Sequence, residues 1–384
     1  MKRVGNLFEK ICSQSNLETA VLNASANKRK RRRVRYVVER KEQAAREIRR
    51  MLLEGTFRPG RCLSREIYDH SSHKVRTINC PLFWPDQIVH WAIIQVIRPV
   101  LIRGMSPFSC GSIPGRGIHY GQKYLKRWLG RDHKNTKYCL KLDVRKFYQS
   151  IGHAQLKAML RRKIKDKQAL ALLDAIIDSY PQGLPIGYYT SQWLANFYLE
   201  GLDHYIKEQL GIKCALRYVD DMVLFSPSKR KLHKAREKIA DYIKPLGLEL
   251  KGDWQVFRVD KRPVDMLGYR FYRDHVTLRR RNALKIRRRV KRAHKRGYVT
   301  LHDARAILSN VGMITHSNSN RFYKRYIVPY VNIKKLKELI SSADKKQHQA
   351  GRNRGGENPR HGGGDLPGKH HRRGGTGGGY RLLL

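Results

Sequence analysis

Leu216-Arg217-Tyr218-Val219-Asp220-Asp221-Met222-Val223-Leu224-Phe225 is the stretch on which the reading of this chain turns. Val219, Val223 and Phe225 favour strand. Two adjacent carboxylates inside such a run predict a tight turn between two strands, where both side chains can reach one point. Asp is common in exposed turns, and a lone Asp-Asp would call for nothing more. A third carboxylate stands in a matching context upstream, however, in Tyr138-Cys139-Leu140-Lys141-Leu142-Asp143-Val144-Arg145-Lys146-Phe147-Tyr148. Carboxylates gathered in a cleft suit Mg²⁺, a hard cation that takes oxygen ligands.

The charge balance points to a polyanionic partner. Lys plus Arg total 81 against 31 acids in 384 residues, a formal net charge of +50. Such an excess repels itself unless an anion offsets it, and nucleic acid is the first candidate, ahead of an anionic membrane. No run approaches the roughly eighteen apolar residues of a membrane span. Met1-Lys2-Arg3-Val4-Gly5 lacks the apolar core of a secretory signal. The six cysteines are scattered without a CxxC pair, so neither a zinc site nor a disulfide framework is expected. A reducing cytoplasm fits.

The order of elements can be read around the two acidic stretches. Residues 1 to about 55 read as basic and helical, with Lys28-Arg29-Lys30-Arg31-Arg32-Arg33 suited to phosphate, to a solvated face or to a localisation signal. A hairpin is expected from Arg65–Asp69 and Lys74–Cys80, then helices from Trp84 or Pro85 to about Leu101 and over 118–129. The Asp143 strand, helices near 153–165 and 167–180, and a helix from Trp193 follow. The Asp220-Asp221 hairpin, a helix over about 228–246 and strands around Val256 and Tyr269 come next. This order predicts an α+β fold, an antiparallel sheet backed by helices. Residues 278–340 read as wholly helical and basic, and 341–384 as a disordered Gly/Arg/His-rich tail suited to loose RNA binding or to none.

With these motifs in this order, residues 64–275 resemble a reverse transcriptase, and more specifically those of diversity-generating retroelements. Tyr218-Val219-Asp220-Asp221 resembles the YxDD signature, and Asp143 with Tyr148 resembles the first palm motif. Gly247-Leu248-Glu249-Leu250-Lys251 and Leu267-Gly268-Tyr269 resemble the later palm motifs. Ile186-Gly187-Tyr188-Tyr189-Thr190-Ser191-Gln192 carries the subfamily assignment, because most intron-related enzymes have Gln-Gly-x-x-x-Ser-Pro there. One departure is Ile113, which stands where relatives often carry Arg; Arg116 is the replacement cation considered. The resemblance implies a right-hand polymerase with an N-terminal extension (1–63), fingers (64–135), a palm holding part of the fingers (136–277) and a helical thumb (278–340).

It also implies roles. Asp143, Asp220 and Asp221, with the Val144 carbonyl, would hold two Mg²⁺ ions flanking an in-line displacement. Lys74 and Arg76 alternate on one strand face; they either grip the incoming triphosphate or guard a solvated edge. Tyr148 either packs in the core or lies under the deoxyribose and excludes a 2′-hydroxyl. Ile186 replaces a directional Gln contact, and Gln192 belongs to the same nucleotide-binding loop. Lys251 either serves the departing pyrophosphate or is a surface lysine. Arg279, Arg280, Arg281, Arg287, Arg288 and Arg289 would track the nucleic-acid backbone. Expected partners are template RNA, the cDNA primer and product, deoxynucleoside triphosphates and a small basic helical accessory protein that forms a ring, in a bacterial or phage-infected cytoplasm. Intron-like, retron and phage-defence enzymes, and a non-catalytic RNA-binding scaffold, are the competing readings.

Overall fold

The computed structural model describes residues 2–69, 74–353 and 381–383. The chain forms two compact units, Met1–Leu267 with Tyr272–Asp274, and Gly268–Phe271 with His275–Leu384.

The first unit opens with helices α1 (Phe8–Cys12), α2 (Gln14–Ala24), α3 (Arg32–Glu39) and α4 (Lys41–Leu53). A hairpin of β1 (Leu63–Asp69) and β2 (Lys74–Cys80) follows, in register from Leu63 opposite Cys80 to Asp69 opposite Lys74. Next come α5 (Ile88–Ile102), β3 (Ser109–Cys110), α6 (Ile118–Arg131), β4 (Tyr138–Asp143), α7 (Phe147–Ser150), α8 (His153–Lys163) and α9 (Lys167–Asp178). Then α10 (Tyr189–Tyr198), α11 (Glu200–His204), β5 (Ala215–Tyr218), β6 (Asp221–Ser226), α12 (Lys229–Ile243), β7 (Gln255–Arg258) and β8 (Val264–Met266) complete it.

The strands build a five-stranded sheet in the order β3-β5-β6-β4-β7. Neighbours are antiparallel except β3, which runs parallel to β5. Leu140, Leu142, Met222 and Leu224 are buried in one continuous core with Leu232, Ile239 and Ile243 of α12 and Trp193 and Phe197 of α10. The N-terminal helices join that core through Ile11, Leu17 and Ile48, against Ile93 and Ile97 of α5. Asp166 fixes the N-terminus to it, because its carboxylate caps α9 at Ala169 N (3.0 Å) and also accepts from Leu7 N (2.6 Å) and Phe8 N (2.9 Å).

The second unit comprises β9 (Tyr269–Phe271), β10 (Val276–Leu278), α13 (Arg280–Lys295), β11 (Tyr298–Thr300), α14 (Leu301–Thr315), α15 (Asn320–Tyr326), α16 (Ile333–Asn353) and β12 (Arg381–Leu383). Ile286, Val290, Val299, Ile307, Ile314 and Leu336 are buried within it.

Three expectations need correction. The helix expected from Trp193 begins at Tyr189, because the loop before it closes one turn earlier. The C-terminal region is not wholly helical, since β11 interrupts it and pairs with β12 from Tyr298–Leu383 to Thr300–Arg381. The tail expected to be disordered from residue 341 is helical up to Asn353, with Ala343 buried along α16. Its last three described residues form β12, and 354–380 lie outside the described residues. Among the described residues no helix is long and apolar enough to cross a membrane.

Candidate active site

β4 and β6 bring the acidic motifs together. Their register sets Asp143 opposite Asp221, the last residue of one strand against the first of the other. The turn between β5 and β6 is tight because Val219 takes φ +60°. A β-branched residue there costs about 1–3 kcal/mol unless its surroundings hold it. Here they do. Val219 N donates to Cys110 O at 3.1 Å, and Arg217 Nη1 donates to Val219 O at 2.9 Å. Gly111 leaves room beneath, since a Cβ there would lie 2.8 Å from Val219 Cγ2.

Arg217 is the anchor that the sequence reading missed. Its side chain is 2% exposed and pairs with Asp203, 7% exposed, through both carboxylate oxygens at 2.7 and 2.6 Å. It also donates to Ser109 Oγ (2.7 Å) and Asn196 Oδ1 (3.2 Å). Every donor finds an acceptor, as a buried guanidinium requires. The signal was present: a cation beside Leu216 in the run of residues that leads to Tyr218.

Asp220 faces an open cleft of about 970 Å³ that Arg76, Tyr148, Ile186, Gln192 and Lys251 also line. Burial, then the charge of Asp143, pushes the Asp220 carboxyl above the usual carboxylate range, against the opposing pull of Lys251 and Arg76. Asp143 Oδ2 is ion-paired with Lys251 Nζ. Its Oδ1 is buried and accepts no hydrogen bond among the described residues. Asp221 turns to Lys141, 3.9 Å away.

The backbone prepares a further oxygen. Lys251 N donates to Asp143 O (2.8 Å) and Arg145 N to Glu249 O (2.7 Å), flanking the bridge between Val144 and Leu250. In such a non-hydrogen-bonded pair the carbonyls point away from each other, so the Val144 oxygen is directed to the side on which β6 lies. A divalent cation fits this donor set: an orphaned Asp143 oxygen, the Asp220 carboxyl in the same cleft, and one carbonyl. The three-carboxylate group expected from the sequence is not gathered. Asp143 and Asp221 each lean to their own lysine, and among the described residues no three His, Cys, Asp or Glu side chains are disposed to hold a metal.

The other expected residues separate clearly. Tyr148 donates its hydroxyl to Gln192 Oε1 at 2.9 Å. Burial chiefly, with Asp220 nearby, holds its phenol well above the ordinary tyrosine range. Ile186 O accepts from Asn79 N at 2.7 Å, which seats the loop on β2. Gly187 is needed there, with φ +119° and a Cβ position 2.3 Å from Asn79 O. Arg76 lies on the cleft wall, whereas the side chain of Lys74 is outside the described residues.

Arg116 does not reach the cleft. Its guanidinium donates to Ser106 O at 3.0 Å and Gly111 N donates to its carbonyl, so it closes the 106–116 loop on itself. Ile113, at the departing position, is buried as core.

On α13 the six expected arginines divide. Arg279 precedes the helix and is half-buried, Arg287 stacks on the Tyr326 ring at 4.6 Å, and Arg289 lies near the Asp303 charge. Arg280, Arg281 and Arg288 are exposed. Lys285, Arg292 and Lys295 extend the exposed stripe at i+4, i+11 and i+14 from Arg281, a helical pattern the run of arginines concealed.

Comparison with known proteins agrees with the sequence motifs. The model of the family "Reverse transcriptase (RNA-dependent DNA polymerase)" matches residues 67–271. "Protein YkfC" of Escherichia coli K12 is 26% identical over 175 residues, 42% of this chain and 45% of that protein. An "Uncharacterized 91 kDa protein in cob intron" of Schizosaccharomyces pombe is 28% identical over 217 residues, 52% of this chain and 25% of that protein. The chain thus spans less than half the length of these curated relatives. Among solved structures, an apo telomerase from Candida tropicalis truncated from its C-terminal domain is similar at TM-score 0.45 and 14% identity, covering 57% of this chain and 55% of that one.

Proposed function

The chain belongs to the reverse transcriptase (RNA-dependent DNA polymerase) family, and from that premise we propose that it is an RNA-directed DNA polymerase that copies an element-encoded RNA template into cDNA. The convergence of Asp143 and Asp220 beside Arg76, Tyr148 and Lys251 in one cleft carries the proposal. Asp143, Asp220 and the Val144 carbonyl would hold divalent metal, with Mg²⁺ the ion proposed and Asp221 a supporting charge. When bound, the metal supplies the charge that acidifies the primer 3′-hydroxyl and offsets the departing pyrophosphate.

The chain's own residues do the rest. Arg76 offers a planar fork to the triphosphate. Lys251 holds the second oxygen of Asp143 and stands ready to meet pyrophosphate. The Tyr148 ring lies under the sugar and excludes a 2′-hydroxyl. The exposed basic stripe of α13 tracks the template–primer backbone without reading sequence. In this reading residues 64–135 are fingers, 136–277 palm and 278–340 thumb.

We further propose that the enzyme is the error-prone polymerase of a diversity-generating retroelement, acting in a bacterial or phage-infected cytoplasm with a small basic accessory protein ring. Support comes from Ile186-Gly187-x-x-x-Ser191-Gln192. An aliphatic side chain at the cleft wall makes no directional bond to the nucleotide, and losing such a bond loosens discrimination by about 1–3 kcal/mol. An intron-encoded reverse transcriptase is the second reading, favoured by the likeness to the cob-intron protein. Sequencing cDNA made from a defined RNA tests both. Mutagenic copying that Ile186→Gln makes more faithful supports the first reading; an error spectrum unchanged by Ile186→Gln removes it.

A further inference from the structure

The side chain of Gln192 does its bonding within the protein. Its Oε1 accepts from Tyr148 OH at 2.9 Å and from Ser112 Oγ at 2.7 Å. These partners come from α7 and from the loop after β3, so one amide oxygen joins three segments at the cleft. Tyr148 is held at its other end as well, because Leu184 N donates to its carbonyl at 2.7 Å.

Gln192 itself is held to the acidic turn. Asn196, one helical turn later on α10, donates through Nδ2 to Gln192 O (3.1 Å) and to Gly111 O (2.9 Å). The Oδ1 of Asn196 accepts from Arg217, which also holds Val219 O. A continuous set of hydrogen bonds therefore runs from the strained turn beside Asp220, through Arg217, Asn196 and Gln192, to the Tyr148 hydroxyl.

We propose that Gln192 is a positioning residue for sugar discrimination: its amide oxygen fixes the tilt of the Tyr148 ring, and that tilt sets the clearance beneath the sugar of the incoming nucleotide. The inference rests on the reading of Tyr148 as the residue under the deoxyribose. A half-buried phenol that has lost its acceptor turns towards another, and a change in χ1 or χ2 moves the ring edge that would meet a 2′-hydroxyl. Side chains without an acceptor at position 192 leave the ring unheld. A carboxylate there accepts from both hydroxyls and keeps it.

The test is single-nucleotide incorporation on a primed RNA, with kcat and KM measured for a deoxynucleotide and for its ribonucleotide. Gln192→Leu is expected to raise relative ribonucleotide use about threefold to tenfold, the change that loss of an ordinary hydrogen bond makes. Tyr148→Phe, which removes the held hydroxyl, should do the same, and the double variant should be no worse than either single one. Gln192→Glu should keep the ratio of deoxynucleotide to ribonucleotide use within about twofold of the parent's, whatever the added charge does to the overall rate. Tyr148→Ala separates the two levels of the argument. If it raises ribonucleotide use while Gln192→Leu leaves the ratio unchanged, the positioning role is overturned. If Tyr148→Ala also leaves the ratio unchanged, the reading of Tyr148 itself falls.

Discussion

Replacing Arg217 with Met should damage the first unit more than any surface change could. The substitution keeps length and apolar stem but removes six hydrogen bonds: two to Asp203, two to Asn196 (Oδ1 and O), one to Ser109 Oγ and one to Val219 O. The main loss is the buried charge left behind. Asp203 is 7% exposed, and among the described residues its ion pair is the one with Arg217. Stranding one partner of a buried pair costs about 3–5 kcal/mol, a large part of the roughly 5–15 kcal/mol that holds a domain folded. All five tryptophans, at 84, 91, 128, 193 and 254, lie in the first unit, so their fluorescence during denaturant unfolding reports on it alone. Arg217→Met should lower that unit's stability by about 3–5 kcal/mol, and Arg217→Met with Asp203→Leu should recover much of the loss by removing the stranded charge. Well below the unfolding midpoint, primer extension by the single variant should still be impaired, because Val219 O has lost its donor and the turn that carries Asp220 relaxes. A loss under about 1 kcal/mol, or a double variant no more stable than the single one, would refute this account of the turn.

Other consequences are accessible to simple assays. The Asp220 carboxyl titrates above its unfolded value, so the fold holds its proton more tightly than the unfolded chain does. Stability without divalent metal should therefore fall as pH rises from about 4 through the folded pKa. Asp220→Asn should abolish that slope, raise the melting temperature at neutral pH and stop primer extension. Gly187→Ala meets Asn79 O at 2.3 Å in a left-handed conformation; denaturant unfolding should show a loss of about 1–3 kcal/mol, with weaker nucleotide incorporation. Replacing Lys285, Arg288 and Arg292 with Ala should reduce the slope of log affinity against log salt for a template–primer duplex by up to about three, measured by fluorescence anisotropy.

The acidic positions were legible because a carboxylate inside an apolar strand has few reasons to be there. Asp143 and Asp220 were singled out this way, and the α+β order followed from the runs around them. Arg217 carried the same kind of signal but sat inside the quoted strand as one more cation in a chain full of them. The Gln192–Tyr148–Ser112 junction left no trace, since its partners are 44 and 80 residues apart and hydroxyl bonding imposes no periodicity. Arg116 was singled out because a cation in a Gly- and Pro-rich loop reads as a ligand contact; the structure shows its own loop supplying a carbonyl to it. Three-residue strands such as Tyr298–Thr300 are too short for an alternation to show. The arginines of α13 were visible as runs, but only the helix phase tells which of them face solvent.

The central claim is that carboxylates from β4 and from the β5–β6 turn act together on a growing DNA end. Primer extension by the purified chain on primed RNA, with Mg²⁺ and deoxynucleotides, tests it most directly when set beside Asp143→Ala and Asp220→Ala proteins shown by circular dichroism to be folded. The parent should add nucleotides, and each variant should be slower by at least about a thousandfold, the loss of roughly 4 kcal/mol of electrostatic stabilisation. Extension by either folded variant at the parent's rate would contradict the account.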